Sequence, residues 1–236
     1  MSSTSSTTPP VTAIVTDIEG TTTDIAFVKE CLFPYASQNL AHFITTHGHQ
    51  PEVQKHLQEV SHLAQLDVED RPGQIQTLLH WIETDQKITP LKALQGLIWS
   101  HAYQTGSIKG HLYTDAYQNL LTWAQKYPIY IYSSGSVKAQ KLLFSYSIFG
   151  DITSKLSGYF DTTTGPKKVK ESYLQIVDAL QKNANEVLFL SDHVEELQAA
   201  DEAGLQTAEL RRDQQAASER YPSFSNFDQV SDYFSL

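Results

Sequence analysis

Two acids stand two residues apart in the run Asp17-Ile18-Glu19-Gly20-Thr21-Thr22-Thr23. If the chain turns at Gly20, where the missing Cβ makes a turn easy, both carboxylates reach one pocket. Anions that close repel, so a proton or a cation must accompany them. Mg²⁺, which takes one or two carboxylates together with water and substrate phosphate, is the natural companion. Taken alone, the run also fits an Asx-type turn with a solvated acid. Further along, Ser133-Ser134-Gly135-Ser136 offers the hydroxyls and backbone N–H groups that hold phosphate at a helix N-terminus, or else ordinary capping. Gly165-Pro166-Lys167-Lys168 could carry positive charge to a phosphate and to the acids. Composition does not decide which lysine points inward, and such pairs are commonly just solvated. Asp192, with Glu195 and Glu196 beyond it, reads equally as a metal ligand or as an acid favouring a helix dipole. His193 beside it suits a hard, oxygen-preferring metal poorly and reads as incidental.

The elements that must position these groups follow from the hydrophobic pattern. Val11–Thr16, Ile129–Tyr132 and Val187–Leu190 are short apolar runs of the kind found in strands covered on both faces. Tyr159-Phe160 and Gln206–Leu210 are weaker candidates. Between them lie helical patterns over Val137–Tyr146, with Ser136 as N-cap, over Lys168–Gln181 and over Val194–Ala203, with Gly204 as a natural stop. Strand–helix alternation across residues 128–210 predicts βαβ units and an α/β sheet. In such sheets ligands sit at the carboxyl ends of the strands, where the polar groups above fall. Residues 25–107 differ: Phe27–Thr46, Glu52–Leu66, Gln74–Lys87 and Leu91–Gln104 read as four helices, with breaks near Gly48–Pro51, Arg71–Gly73 and Thr89–Pro90. Trp81, Leu94, Leu97, Ile98 and Trp99 are expected to fill a helical core.

Composition limits the possible partners. Among 236 residues, 27 acids face 17 Lys and Arg, a formal charge of −10, which argues against nucleic acid or an anionic membrane. A hydrophobic share of 40% with 11% aromatics supplies a core and excludes wholesale disorder. The single cysteine, Cys31, allows no internal disulfide and fits a reducing compartment. No apolar run approaches the roughly 20 residues that span a bilayer. The Ser/Thr/Pro-rich Met1–Pro10 lacks the charged and apolar regions of a secretory signal and reads as a disordered tail. A cytoplasmic, monomeric protein acting on a small molecule is expected.

Acid-x-acid, Ser, Lys and Asp in that order resemble the haloacid dehalogenase-like superfamily over residues 11–210. The resemblance implies a doubly wound, mainly parallel α/β core from residues 11–24 and 108–236, with residues 25–107 as an inserted helical cap. It narrows further. The run from Asp17 to Thr23, Ile25-Ala26-Phe27-Val28-Lys29, Leu32-Phe33-Pro34-Tyr35, Ile131 to Ser136, Ala139 to Phe144 and Gly158 to Thr162 look like the enolase-phosphatases of methionine salvage, which carry Glu where the superfamily usually has a second Asp. The resemblance implies a Mg²⁺-dependent enzyme that enolises 2,3-diketo-5-methylthiopentyl-1-phosphate and then dephosphorylates it to 1,2-dihydroxy-3-keto-5-methylthiopentene. It implies Asp17 as nucleophile and metal ligand, and Glu19 as acid/base and as metal ligand through its backbone carbonyl. Ser133, Ser134 and Lys167 would hold the phosphate, Asp192 would complete the metal site and Glu196 would support it. Alignment favours Lys167 over Lys168, with Pro166 a departure from the family pattern. Another Mg²⁺-dependent phosphatase or phosphomutase on the same scaffold is the alternative.

Overall fold

A computed structural model describes residues 9–212 and 218–236; most of the tail expected over Met1–Pro10 lies outside them. The chain divides into two compact units, one from Met1–Ile25 and Gly110–Leu236 over their described residues, the other Ala26–Lys109.

The first unit opens with β1 (Ala13–Thr16), all four residues fully buried. The second unit follows. A π-helical turn, Phe27–Leu32, runs directly into α1 (Phe33–His47), where the sequence predicts one continuous helix. Pro34, near the start of α1, has no N–H to return to the preceding turn, so the wider register gives way to the α-helix there. Next come α2 (Pro51–Ala64), α3 (Arg71–Glu83) and α4 (Thr89–Gln104). All three begin with proline in the first turn, where its missing N–H costs nothing. The helices therefore start earlier than expected, since Pro72 and Pro90 open helices rather than separate them. Trp81, Leu94 and Ile98 are buried in this bundle, while Leu97 and Trp99 pack against its side. The Trp99 indole N–H donates to the Leu32 carbonyl at 2.8 Å.

The first unit resumes with α5 (Thr114–Trp123), β2 (Ile129–Tyr132), α6 (Val137–Ser145), β3 (Gly158–Phe160), α7 (Lys170–Leu180), β4 (Val187–Ser191), α8 (Val194–Glu202), β5 (Gln206–Leu210), β6 (Ser223–Phe224) and α9 (Phe227–Phe234). Six strands form one sheet in the order β3-β2-β1-β4-β5-β6, and every pair is parallel. β1 lies between β2 and β4, with Thr16 opposite both Ile131 and Leu190. Successive strands progress outward from β1 on one side, then on the other, so the carboxyl end of β1 is the switch point where such sheets bind ligands. This is the α/β architecture expected from the alternation of apolar runs and helices.

Three elements of this unit, α5, β6 and α9, are absent from the pattern reading. α5 and α9 pack together through Trp123, stacked on Phe227 at 5.1 Å, its indole N–H donating to Ser231 Oγ at 2.8 Å. Among the described residues no helix is long and apolar enough to cross a membrane.

Candidate active site

Asp17 follows the last residue of β1 directly, and its N–H donates to the Leu190 carbonyl at 2.9 Å, so the acid is carried at the sheet's edge by continued strand pairing. The chain then turns sharply. The amides of Thr21, Thr22 and Thr23 all converge on the Ile18 carbonyl, at 3.2, 3.0 and 2.9 Å, and Gly20 N–H reaches the Thr23 carbonyl at 2.7 Å. Gly20 has φ +76°, and a Cβ there would fall 2.1 Å from Asp192 Oδ2. Only glycine meets both demands. The same number places Asp192, from the end of β4, against the turn that carries Asp17 and Glu19. Glu19 is half-buried and bridges to Thr23.

Lys167 is the cation of this site. Its side chain is only 6% exposed, and Nζ lies 2.5 Å from Asp17 Oδ1 and 2.6 Å from Glu196 Oε2. Ser191 Oγ donates to the same Glu196 oxygen at 2.9 Å. The lysine's backbone is fixed by the core beneath it. Tyr173 OH donates to the Lys167 carbonyl at 2.6 Å and Tyr132 OH to the Gly165 carbonyl at 2.8 Å. The two fully buried rings meet edge to face at 5.6 Å. Lys168 is 53% exposed and pairs with Glu195 at 2.5 Å. The question that composition leaves open is thus answered by geometry: Lys167 turns in and Lys168 turns out.

The electrostatics follow from this crowding. Burial, together with the nearby charges of Glu196 and Asp192, pushes the Asp17 carboxyl up to about 7 despite the opposing pull of Lys167. Burial and Glu196 push Asp192 up to about 6. Burial works against the charge on Lys167, but Asp17 and Glu196 outweigh it and hold the ammonium above its ordinary value. Two carboxylates thus contact one ammonium and a third, Asp192, lies within its field, so acids outnumber the cation.

Ser133 and Ser134 stand beyond the end of β2, beside β1, at the same edge. The buried Ser133 hydroxyl accepts Gly135 N–H at 3.1 Å, and Ser134 is exposed. No hydrogen bond joins either serine to Asp17, Lys167 or Glu196 among the described residues. The start of α6 is partly committed: Val137 N–H donates to Asp161 Oδ2 at 3.1 Å and Ala139 N–H to the Ser136 cap at 3.3 Å. His193 is exposed and opens α8.

Among the described residues, no three His, Cys, Asp or Glu side chains are grouped to hold a metal ion. Side chains alone therefore do not make a metal centre of Asp17, Glu19 and Asp192. The donor chemistry nevertheless suits a hard dication: Asp17 and Asp192 are oxygen donors whose charged forms burial, and then the charge of Glu196, disfavour, and Mg²⁺ ordinarily uses one or two carboxylates with other oxygens.

The family described as haloacid dehalogenase-like hydrolase matches residues 11–204. A curated protein of Alcanivorax borkumensis, "Enolase-phosphatase E1", is 47% identical over 94% of this chain and 98% of its own length. One of the same name from Pseudomonas syringae is 48% identical over 94% and 99%. This chain belongs to the enolase-phosphatase E1 family. Among solved structures, the UTR4 protein of Saccharomyces cerevisiae superposes with a TM-score of 0.81 at 35% identity, over 92% of this chain and 99% of that one. Enolase-phosphatases are hydrolases, and the phosphatase chemistry of the family fits an acid held by a buried lysine at the switch point.

The sequence reading did not include Arg212, whose guanidinium donates to the Thr21 carbonyl from Nε at 3.0 Å and from Nη2 at 2.7 Å. A signal was available: Arg212 is a charged residue just past a strand end, at the edge where the other functional groups fall. Nor did it give the hydroxyls of Tyr132 and Tyr173 a role in holding the lysine segment.

Proposed function

We propose that this enolase-phosphatase acts on 2,3-diketo-5-methylthiopentyl-1-phosphate in two steps, with Asp17, Glu19, Lys167, Ser133, Ser134 and Asp192 as its working residues. The observation that carries the reading is the buried Lys167 ammonium between Asp17 and Glu196, with Glu19 two residues after Asp17. In the first step a proton leaves C1 and the C2 carbonyl oxygen gains one, giving the enol. Glu19 is the group assigned to move it. In the second, an Asp17 carboxylate oxygen attacks phosphorus, the bond from phosphorus to the C1 oxygen breaks, and Glu19, which takes up a proton from solvent after the enolisation, protonates the departing oxygen. Water, deprotonated by Glu19, then attacks the aspartyl phosphate and releases inorganic phosphate. Covalent catalysis of this kind divides one difficult displacement into two easier ones.

Lys167 keeps Asp17 ionised and offers charge to the phosphate, while Ser133 and Ser134 donate to its oxygens. Mg²⁺ held by Asp17 and Asp192, with the backbone carbonyl of Glu19, would screen the repulsion between carboxylate and phosphate. The same reading assigns residues 25–107 as the helical cap, and a single chain in the cytoplasm as the working form.

The test follows enol absorbance and free phosphate together. Wild type forms enol and releases phosphate, and both require Mg²⁺. Asp17→Asn accumulates enol without phosphate, and Glu19→Gln loses both. Phosphate release by Asp17→Asn at the wild-type rate would place the nucleophile elsewhere. Turnover of simple sugar phosphates but not of the diketo phosphate would favour a general phosphatase.

A further inference from the structure

In the loop from Asp17 to Asp24 the carbonyls of Thr21, Thr22 and Thr23 each accept a hydrogen bond. Thr23 O accepts from Gly20 N–H within the loop, while Thr22 O accepts from Tyr113 N–H at 3.0 Å. Thr21 O receives two N–H groups of one guanidinium, that of Arg212. Arg212 lies two residues past β5 and 191 residues from Thr21 in sequence. Its third nitrogen, Nη1, bonds Asp115 Oδ2 at 2.8 Å, and that oxygen also accepts the Phe227 N–H at 2.8 Å. The guanidinium lies over the Tyr113 ring at 4.2 Å from its centroid and near the Phe227 ring at 5.2 Å, and the side chain is 8% exposed. A planar fork that grips one oxygen with two donors, a carboxylate with a third and an aromatic face with its plane is a task lysine cannot perform.

We propose that Arg212 is a positioning residue for the proposed reaction, acting through the Thr21 carbonyl to hold the turn that aims Asp17 and Glu19. The inference rests on the functional reading above and assigns Arg212 no contact with substrate. Thr21 is two residues from Glu19 and four from Asp17. Their turn is short and internally bonded, so a shift of the Thr21 peptide moves the acids with it. Misplacing a catalytic group by about 1 Å costs on the order of 100-fold in rate.

The experiment compares wild type, Arg212→Ala, Arg212→Lys and Asp115→Asn by kcat and KM on the diketo phosphate and on p-nitrophenyl phosphate, with thermal midpoints measured alongside. Arg212→Ala is expected to lose about 10- to 100-fold in kcat on both substrates, with KM within about threefold. Millimolar guanidinium should restore part of that loss where equal ammonium does not. Arg212→Lys should lie nearer to Arg212→Ala than to wild type, because charge alone does not reproduce the fork. If Arg212→Ala does not fold, Asp115→Asn carries the test. It loosens the guanidinium while keeping an acceptor for Phe227 N–H, and kcat should fall severalfold. A folded Arg212→Ala with kcat within twofold of wild type, a loss confined to KM, or equal rescue by ammonium would overturn the proposal, as would an unchanged Asp115→Asn. Wild type that cleaves p-nitrophenyl phosphate but not the diketo phosphate would sink the substrate reading alone, and Arg212 could still be judged on the former.

Discussion

Replacing Lys167 with methionine keeps an unbranched side chain, one atom shorter, and removes the ammonium with its charge and its donors. In the native protein that charge sits 2.5 Å from Asp17 and 2.6 Å from Glu196, with all three side chains less than a tenth exposed. At an effective dielectric of about 20, each contact is worth about 6 kcal/mol of gross attraction, most of it offset by desolvation. Removing one partner of a buried pair costs about 3–5 kcal/mol, because the other is left uncompensated. Here two carboxylates are stranded, so the loss belongs at the upper end. It is also pH-dependent, with a definite sign. Without the lysine, burial and the nearby charge of Glu196 raise the folded-state pKa of Asp17 further above its unfolded value. The folded variant then binds more protons than the unfolded chain, so its stability falls as pH rises through that folded value. Wild type shares a milder form of this, since Asp17 already sits at about 7. Urea unfolding followed by circular dichroism in the presence of chelator, at pH from about 5 to about 8, should show a deficit that grows with pH. Phosphate release should fall by about 100-fold or more, the scale of losing a preorganised charge. A deficit under about 0.5 kcal/mol, the range of ordinary surface substitutions, or one that does not vary with pH, would refute the buried triad.

Lys168→Met should leave kcat within twofold and stability within about 0.5 kcal/mol, because its pair with Glu195 is exposed and such pairs contribute little; a loss comparable to that of Lys167→Met would mean the two lysines exchange roles in solution. Gly20→Ala combines a positive φ with a Cβ only 2.1 Å from the Asp192 carboxylate, so it should destabilise by about 1 kcal/mol or more from backbone strain alone and abolish phosphate release by displacing Asp192, as read by thermal unfolding and phosphate assay. His111 accepts the Asp24 N–H on Nδ1 at 3.0 Å. Burial lowers its pKa from 6.5, Asp24 pulls the other way, and Arg212 adds to the lowering. The folded state therefore favours the neutral ring, and its contribution is complete above about 6.5 and lost as pH falls through the lower folded value. His111→Gln, which keeps an acceptor but does not titrate, should flatten the thermal midpoint between about pH 5 and 7; an unchanged slope would remove His111 as the source.

Much of the core could be read in the sequence because its strands are covered on both faces. Val15 and Phe189, and Thr16 and Leu190, are partners in the sheet, and strands so enclosed must be continuously apolar. The polar residues that end those runs are for that reason conspicuous. The chain order of Asp17, Ser133, Lys167 and Asp192 was legible too, since each stands where a run breaks. The inward turn of Lys167 over Lys168 was legible only through the family resemblance, not from composition or periodicity. It depends on Tyr173, six residues on, reaching back to a carbonyl, and side-chain direction in a loop leaves no periodic trace. α5 left one, with Ala116, Leu120 and Trp123 buried on one face, as did α9, with Asn226 capping at Gln229 N. Short helices next to a sheet are simply easy to pass over. The two residues of β6 carry no pattern, and the clamp of Arg212 on Thr21 joins parts of the chain that only the sheet order brings together.

An acidic protein that handles a phosphate must find positive charge locally, and among its described residues this one has a single buried ammonium to offer, that of Lys167. Yet that ammonium is already in contact with two carboxylates and within the field of a third, Asp192. What it supplies is therefore less an anion trap than a means of keeping Asp17 ionised where burial would otherwise protonate it. A phosphate arriving there meets a site whose own charges sum to an excess of anion. Neutral donors such as the Ser133 hydroxyl can orient its oxygens without balancing that sum. A dication that accepts oxygen from both protein and substrate, as proposed above, would meet that deficit. That deficit, rather than any one residue, is the physical argument for Mg²⁺ at this position.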